Sequence, residues 1–227
     1  EPSANCSWID MQQDLFVKIC GITNMEDALH AVRCKADALG FIFYEPSDRY
    51  VTPLRAREIA AQIPDFVSKV GVFVDADQKR IHDVMKIVKL SAVQLYGNQG
   101  ADDLVGFETS VIKVFRVKPD FDVDVMHNYV VDAFLLDTHS EAKMGGAGRT
   151  FDWNIAVRAK EFGKIILSGG LTPENVADAV RFVQPYGVDV SSGVERETGR
   201  KDPWKVQEFI ARAKGVPLSY SEFNEAE

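Results

Sequence analysis

The amino-acid sequence predicts a single (β/α)8 barrel, in which eight parallel strands close into a ring inside a layer of helices. Eight short apolar runs alternate with stretches of helical periodicity. The ends of successive runs lie roughly 20 to 30 residues apart, which is the length of one strand and one helix. No linker rich in Pro, Gly or Ser interrupts this alternation, so we expect one closed barrel. A doubly wound open sheet with two extra units is the alternative.

The strand candidates are apolar without strict alternation, as expected for strands that are buried on both faces. In chain order they comprise residues 15–20, 37–43, 68–74, 91–96, 111–117, 132–138, 164–170 and 186–193.

The stretches between the strands carry the start signals of helices. Thr52, Thr172 and Asp202 each precede a proline, which places an N-cap residue before the first helical position. Asn24 is expected to cap the first helix. The weakest helix candidate follows the fourth strand, at residues 98–107, because this segment is short and contains two glycines. Apolar residues recur at i, i+3, i+4 and i+7 in three stretches: Ile81, Val84, Met85 and Val88; Val176, Ala179, Val180 and Val183; Val206, Phe209, Ile210 and Ala213.

The composition and net charge of the chain indicate which kinds of molecule it is not expected to bind. Among 227 residues, 46% are hydrophobic and 26% are charged, as in an ordinary globular protein. The net charge of −8 argues against nucleic acid or an anionic membrane as a partner. No apolar run approaches the roughly 20 residues that span a bilayer. Three cysteines without paired spacing (Cys6, Cys20 and Cys34) fit a reducing compartment. We therefore expect a cytoplasmic protein, either a monomer or a homodimer.

The barrel is expected to occupy residues 15–214. Residues 1–14 are interpreted as an N-terminal extension, natural or added in cloning, since they lack the basic region and apolar core of a secretory signal. Residues 215–227 form a C-terminal tail.

Cys20 closes the first strand and is a candidate base. In barrels of this kind, chemistry takes place at the carboxyl ends of the strands. Gly21 follows at once and lets the backbone turn. A thiol at the barrel mouth can act as a base if nearby positive charge lowers its pKa. The alternative is a buried thiol that serves packing alone.

Asp137 closes the sixth strand and is a candidate general acid. It ends a run of apolar residues, where a carboxylate rarely serves packing. To carry a proton near neutral pH, its pKa would have to be raised by burial. The alternative is a cap for the following segment.

Two loops at the ends of neighbouring strands predict a phosphate site. Gly169 and Gly170 follow the seventh strand, and Ser191, Ser192 and Gly193 follow the eighth. Backbone N–H groups at such turns bind phosphate, and barrels often bind it after these two strands.

Further candidates surround the same mouth. Arg49 lies in a long loop after the second strand and could hold a carboxylate through paired hydrogen bonds. Asp189, inside the eighth strand, could pair with a polar group in the barrel or orient the substrate. A glycine-rich loop at residues 139–153 suits a lid. The four histidines form no metal-binding spacing, and no GxGxxG follows the first strand, so we expect neither a metal nor a dinucleotide cofactor.

Eight motifs in order resemble those of the phosphoribosylanthranilate isomerase family of tryptophan biosynthesis. They are "VKICGIT", "ADALGFIFY" with a following "RYV", "KVGVFV", "VQL", "LLDT", "TFDW", "LSGGLTPENV" and "GVDVSSGVE". The resemblance covers about residues 17–214.

The resemblance implies a (β/α)8 barrel and a cofactor-free Amadori rearrangement. In that reaction N-(5-phosphoribosyl)anthranilate becomes 1-(2-carboxyphenylamino)-1-deoxyribulose 5-phosphate. By this resemblance Cys20 is the general base, Asp137 is the general acid and Arg49 contacts the anthranilate carboxylate. The two glycine loops bind the phosphate of a small-molecule substrate.

The fourth motif departs from the family, because Tyr96 stands where a histidine is usual. A tyrosine can stack or donate a hydrogen bond, but it does not titrate near neutral pH. Two alternative functions stay open at this point: another phosphate-binding barrel enzyme, such as a lyase or an epimerase, and a barrel that binds phosphate without catalysis.

Overall fold

The computed structural model describes residues 15–138 and 152–218. The extension predicted for residues 1–14 lies outside this part, as do residues 139–151 of the predicted lid and residues 219–227 of the predicted tail. In the described part, eight parallel strands close into a barrel in sequence order. The predicted (β/α)8 fold is thus confirmed, and the open sheet is wrong.

All eight predicted strands form at the expected places. They are β1 (Phe16–Cys20), β2 (Ala38–Ile42), β3 (Ser68–Val74), β4 (Ala92–Tyr96), β5 (Ser110–Val117), β6 (Ala133–Thr138), β7 (Ile165–Leu167) and β8 (Gly187–Val190). The ring closes because β1 pairs with both β2 and β8, so that Lys18 lies level with Ala38 on one side and with Asp189 on the other.

Helices follow six of the strands. They are α1 (Met25–Arg33), α2 (Pro53–Ala60), α3 (Gln78–Val88), α4 (Trp153–Ala159), α5 (Pro173–Val183) and α6 (Pro203–Lys214). A short hairpin of β9 (Glu195–Glu197) and β10 (Arg200–Lys201) precedes α6. Within the described residues, no helix is both long and apolar enough to cross a membrane.

Side-chain hydrogen bonds confirm the predicted caps of α1, α2 and α6. The Asn24 side chain accepts from the Asp27 N–H at 2.9 Å, and Thr52 caps α2 at 3.2 Å. Asp202 accepts from two N–H groups in the first turn of α6. Each cap satisfies a backbone donor that the helix itself leaves unpaired.

Two strands are followed by 3-10 turns in place of α-helices. After β4 the turn spans Asp102–Leu104, as the weak pattern there indicates, and after β5 it spans Val123–Asn128. The second segment was expected to be helical. It begins with Pro119 and carries three aspartates and three valines between residues 120 and 130, and these residue types are poor helix formers.

The core has two layers. Small and branched residues fill the barrel interior, including Ala38, Val70 and Leu135. A larger cluster fills the space between the barrel and its helices. Toward the carboxyl ends of the strands, the interior becomes polar, with Lys18, Gln94 and Asp189 all buried. Buried polar groups of this kind are costly unless they are paired, so this end of the barrel is the place to look for a site.

Candidate active site

A cavity of about 630 Å³ opens at the carboxyl ends of the strands. All nine residues predicted for the site line it: Cys20, Arg49, Asp137, Gly169, Gly170, Asp189, Ser191, Ser192 and Gly193. Parallel strands in a closed barrel present all their carboxyl ends at one rim, which brings residues from distant parts of the chain together.

The Cys20 thiol lies at the floor of this cavity, with only 5% of the residue exposed. Residues two apart on a strand share a face, so Lys18 points into the barrel on the same side. The Lys18 Nζ donates to Asp189 Oδ1 at 2.8 Å, and the Ser168 hydroxyl donates to Asp189 Oδ2 at 3.2 Å. A Cβ on Gly40 would lie 2.8 Å from the Cys20 Sγ and 3.0 Å from the Lys18 Nζ. The absence of a side chain there leaves room for both groups.

Burial raises the pKa of the Cys20 thiol above its usual value, and the negative charge of Asp189 adds to this rise. The ammonium groups of Lys18 and Lys201 act in the opposite direction and offset part of the effect. Burial alone would lower the pKa of Lys18, but Asp189 and Cys20 raise it above its usual value. The pKa of the Cys20 thiol is raised overall because desolvation outweighs the nearby cations.

Asp137 lies at the end of β6, partly exposed to the cavity. The Tyr96 hydroxyl donates to its Oδ2 at 3.1 Å. Arg116 is level with Asp137 on the neighbouring strand, and its guanidinium lies 5.7 Å from the centre of the Tyr96 ring. A hydrogen bond from Tyr96 on β4 thus holds Asp137, and Arg116 occupies the paired position on β5.

Arg49 lines the cavity but is held by a carboxylate of the chain. Its Nε and Nη2 donate to the two oxygens of Glu195 at 2.9 and 2.6 Å. Lys201, which is buried, donates to Glu195 Oε1 at 2.9 Å and to the Ser191 carbonyl oxygen at 3.1 Å. Burial alone would raise the pKa of Glu195, but Arg49 and Lys201 hold it below its usual value. Two cations therefore share one carboxylate, and one positive charge remains in excess.

The two predicted phosphate loops lie side by side. Gly169 and Gly170 have φ of 81° and 67°, a left-handed conformation that favours glycine. A Cβ on Gly193 would collide with the Leu171 carbonyl oxygen, so only glycine allows the loops to approach this closely. The Ser191 hydroxyl is buried here and has no hydrogen-bond partner among the residues that the structure describes. An unpaired buried hydroxyl beside a glycine turn suits an anionic ligand.

A second cavity, of about 450 Å³, adjoins the first and shares Val74, Tyr96 and Arg116 with it. Lys113 lines this cavity, and its Nζ donates to the Gly97 carbonyl oxygen and to two oxygens of Gln99. Burial lowers the pKa of Lys113. These bonds tie the loop after β4 to β5 beside the main cavity.

The local sequence pattern did not indicate Lys18, Glu195 or Lys201 as parts of the site. Lys18 carried a usable signal, because it lies two residues before Cys20 on one strand and must share its face. Glu195 ends the eighth motif, "GVDVSSGVE", but no role was predicted for it or for Lys201, since both lie in a hairpin after the last barrel strand that the pattern of eight units did not reveal. Among the residues that the structure describes, no group of His, Cys, Asp and Glu has the geometry of a metal site.

A closed (β/α)8 barrel with a polar cavity at the carboxyl ends of its strands is the architecture of the barrel enzymes. The chain belongs to the family described as N-(5'-phosphoribosyl)anthranilate (PRA) isomerase, whose model matches residues 17–212.

Known relatives agree with this assignment. N-(5'-phosphoribosyl)anthranilate isomerase of Geotalea uraniireducens is 51% identical over 200 residues, which are 88% of this chain and 98% of that protein. The phosphoribosyl anthranilate isomerase structure from Thermotoga maritima is 43% identical with a TM-score of 0.82, over 89% of this chain and all of the other. A structure of the enzyme in complex with reduced 1-(O-carboxyphenylamino)-1-deoxyribulose 5-phosphate is 41% identical with a TM-score of 0.79, over the same shares.

Proposed function

We propose that this chain catalyses the isomerisation for which its family is named, with Cys20 as the general base and Asp137 as the general acid. The substrate is N-(5-phosphoribosyl)anthranilate and the product is 1-(2-carboxyphenylamino)-1-deoxyribulose 5-phosphate, in tryptophan biosynthesis. The observation that carries the proposal is the common cavity: Cys20 and Asp137 line it together with both glycine loops.

The order of strands around the barrel supports these roles. β6, β7, β8 and β1 are consecutive neighbours. The phosphate loops after β7 and β8 therefore lie between the acid at the end of β6 and the base at the end of β1. A phosphate held there places its own ribose between the two groups, which is catalysis by positioning.

In the proposed reaction, Asp137 donates a proton to the ribose ring oxygen. The bond from that oxygen to C1′ breaks, and the nitrogen lone pair forms a Schiff base. The Cys20 thiolate removes the proton from C2′, and the released electron pair forms the C1′–C2′ double bond of an enolamine. In the tautomerisation to the ketone, the C2′ hydroxyl returns a proton to Asp137 and the Cys20 thiol gives its proton to C1′. Both groups are then restored, and no atom is gained or lost in the isomerisation.

Arg49 is proposed to contact the anthranilate carboxylate with the N–H groups that Glu195 leaves unused. Glu195 engages Nε and Nη2, and a guanidinium has five N–H donors. The pair holds the guanidinium in one orientation, so the remaining donors are fixed before substrate binds. Ser191, Ser192, Gly193, Gly169 and Gly170 are proposed to bind the phosphate, and Asp189 orients Lys18 beneath Cys20.

A lyase that forms a Schiff base through lysine is disfavoured by the same geometry. Such a lysine needs a lowered pKa to be nucleophilic. Lys18 has a raised pKa and an ion pair with Asp189. Lys113 has a lowered pKa, but three oxygen atoms accept from its Nζ.

The test is a fluorescence assay that follows the loss of phosphoribosylanthranilate. Cys20→Ser and Asp137→Asn are each expected to lower kcat by about 10²- to 10⁴-fold, the usual contribution of one catalytic proton transfer. Both variants are expected to retain affinity for a reduced product analogue, measured by calorimetry.

Matched controls are Cys34→Ser and Asp178→Asn. Cys34 caps the end of α1 and Asp178 lies exposed on α5, so turnover is expected to stay at the wild-type rate in both. A Cys20→Ser variant that turns over like the wild type would overturn the assignment of the base.

We propose a cytoplasmic enzyme, with a phosphorylated small molecule as its partner and with neither nucleic acid nor membrane bound. A structural relative from Thermotoga maritima is described as dimeric. Light scattering of the purified protein distinguishes a homodimer from a monomer.

A further inference from the structure

We propose that Tyr96, braced by Arg116, is a positioning residue that holds the carboxyl group of Asp137 in place for proton transfer. This inference rests on the proposed function and adds a residue to it. It is carried by the hydrogen bond from the Tyr96 hydroxyl to Asp137 Oδ2, 3.1 Å long.

The hydrogen bond from Tyr96 is strongest after Asp137 has donated its proton. After proton transfer the carboxylate is charged, and a hydrogen bond to a charged acceptor is stronger than one to a neutral group. Tyr96 therefore stabilises Asp137 more after the transfer than before it, which favours the chemical step over binding.

The surroundings of Tyr96 keep its hydroxyl in the donor form. Burial raises the pKa of Tyr96 well above its ordinary value, and the negative charges of Asp137, Asp189 and Cys20 on three other strands add to the rise. Arg116 faces the ring from β5. Asp75, at the end of β3, donates its N–H to the Tyr96 carbonyl oxygen at 3.0 Å. The hydroxyl stays protonated through the neutral range, so its bond to Asp137 does not switch with pH there.

Arg116 fixes the ring that carries the hydroxyl. Its Cα is level with that of Asp137 on the neighbouring strand, and both side chains face the same cavity. In the described part of the chain, its guanidinium forms no ion pair, and it lies over the Tyr96 ring. A cation over an aromatic face is attracted to it, so the ring has one preferred position.

The first experiment is Tyr96→Phe, which keeps the ring and removes the hydroxyl. We expect kcat to fall about 10- to 100-fold, the loss associated with one hydrogen bond to a charged group, while KM stays within about twofold. Tyr186→Phe is the matched control. Tyr186 stacks on Phe16 at the opposite, amino end of the barrel, and its variant is expected to keep wild-type kcat and KM.

Tyr96→His provides a second readout that a structural role would not produce. Imidazole restores a donor but titrates near pH 6.5, so kcat is expected to recover in part and to gain a further dependence on pH in that region, in addition to any pH dependence of the wild type. Circular dichroism confirms that each variant is folded.

The outcomes separate this inference from the proposed function. If the wild type does not turn over phosphoribosylanthranilate, the function itself fails. If the wild type and Tyr186→Phe are active and Tyr96→Phe has wild-type kcat, the positioning role alone is wrong. A rise in KM at constant kcat would also overturn it, because that result marks a contact to substrate.

Discussion

Single residues at the barrel mouth have properties that depend on their immediate neighbours. Cys20 has a raised pKa because it is buried, although Lys18 lies two residues away on the same strand face. Catalysis by its thiolate therefore gains from every group that stabilises negative charge on sulfur. Lys18 is the first of these groups, and its ion pair with Asp189 holds it in place.

Replacing Lys18 tests this electrostatic role. Lys18→Gln removes the positive charge but keeps an amide donor for Asp189, so the pKa of Cys20 is expected to rise further. Because a shift of one unit changes the thiolate fraction about tenfold, kcat/KM at neutral pH should fall by about that factor. The rate at which iodoacetamide alkylates Cys20 can be followed in a Cys6→Ser/Cys34→Ser background. This rate should begin to rise at a higher pH in the Lys18→Gln variant than in the chain that keeps Lys18.

The control for this experiment is Lys79→Gln, since Lys79 pairs with Asp83 on the exposed face of α3. Its alkylation curve should match the wild type. Identical curves for Lys18→Gln and the wild type would show that Lys18 has no influence on the thiol.

At the scale of elements, the β9–β10 hairpin links the loop after β2 to the loop after β8. Glu195 on β9 accepts from Arg49 in the first loop and from Lys201 on β10, and Lys201 also donates to the carbonyl of Ser191. The hairpin thus positions a proposed carboxylate contact and a proposed phosphate loop together. Both depend on the charge of one buried carboxylate.

Glu195→Gln is expected to destabilise the fold by about 3 kcal/mol at neutral pH. This lies at the low end for a broken buried ion pair, because Arg49 is partly exposed. The folded-state pKa of Glu195 is lowered, so its contribution is present above the ordinary value of about 4.3 and is lost as pH falls through the folded-state value.

Urea denaturation at a series of pH values measures this contribution. The difference in free energy of unfolding between wild type and variant should shrink below about pH 4. Glu197→Gln, an exposed position on the same hairpin, should show no such difference. A constant gap across the whole pH range would mean that the ionised form of Glu195 is not what stabilises the fold.

At the scale of the whole molecule, closure of the barrel creates the proposed phosphate site. The loops after β7 and β8 are adjacent because their strands are paired, and β1 closes the ring against β8. Gly193 packs against the Leu171 carbonyl oxygen where the two loops meet. Binding of an anion there should stabilise the folded chain as a whole, since a ligand of the native state alone shifts unfolding by mass action.

Inorganic phosphate is therefore expected to raise the melting temperature of the wild type. At 100 times its Kd, the stabilisation should reach about 2.7 kcal/mol. Gly193→Ala should lose this response because the methyl group forces the loops apart. Gly100→Ala is the control, because a Cβ there meets only Asp103 at 3.8 Å. Equal responses in wild type and Gly193→Ala would place the anion elsewhere.

Much of the fold could be predicted because its signals are local. The strands, the capped helices and the residues that end each strand follow from hydrophobic periodicity and from Pro and Gly positions. For this reason the sequence could place Cys20, Asp137 and the glycine loops at the barrel mouth, where they line one cavity. The helix expected after β5 was wrong, because the regular alternation of units outweighed the poor helix formers in that segment.

The sequence by itself determined which side chains reach the barrel mouth, since the two-residue period of a strand decides the face of each residue. Only the tertiary structure decided how they pair. Lys18 and Asp189 are 171 residues apart, Arg49 and Glu195 are 146 apart, and Tyr96 and Asp137 are 41 apart. These contacts depend on strand register around a closed ring and on how loops of different strands meet, and neither is encoded in any local pattern.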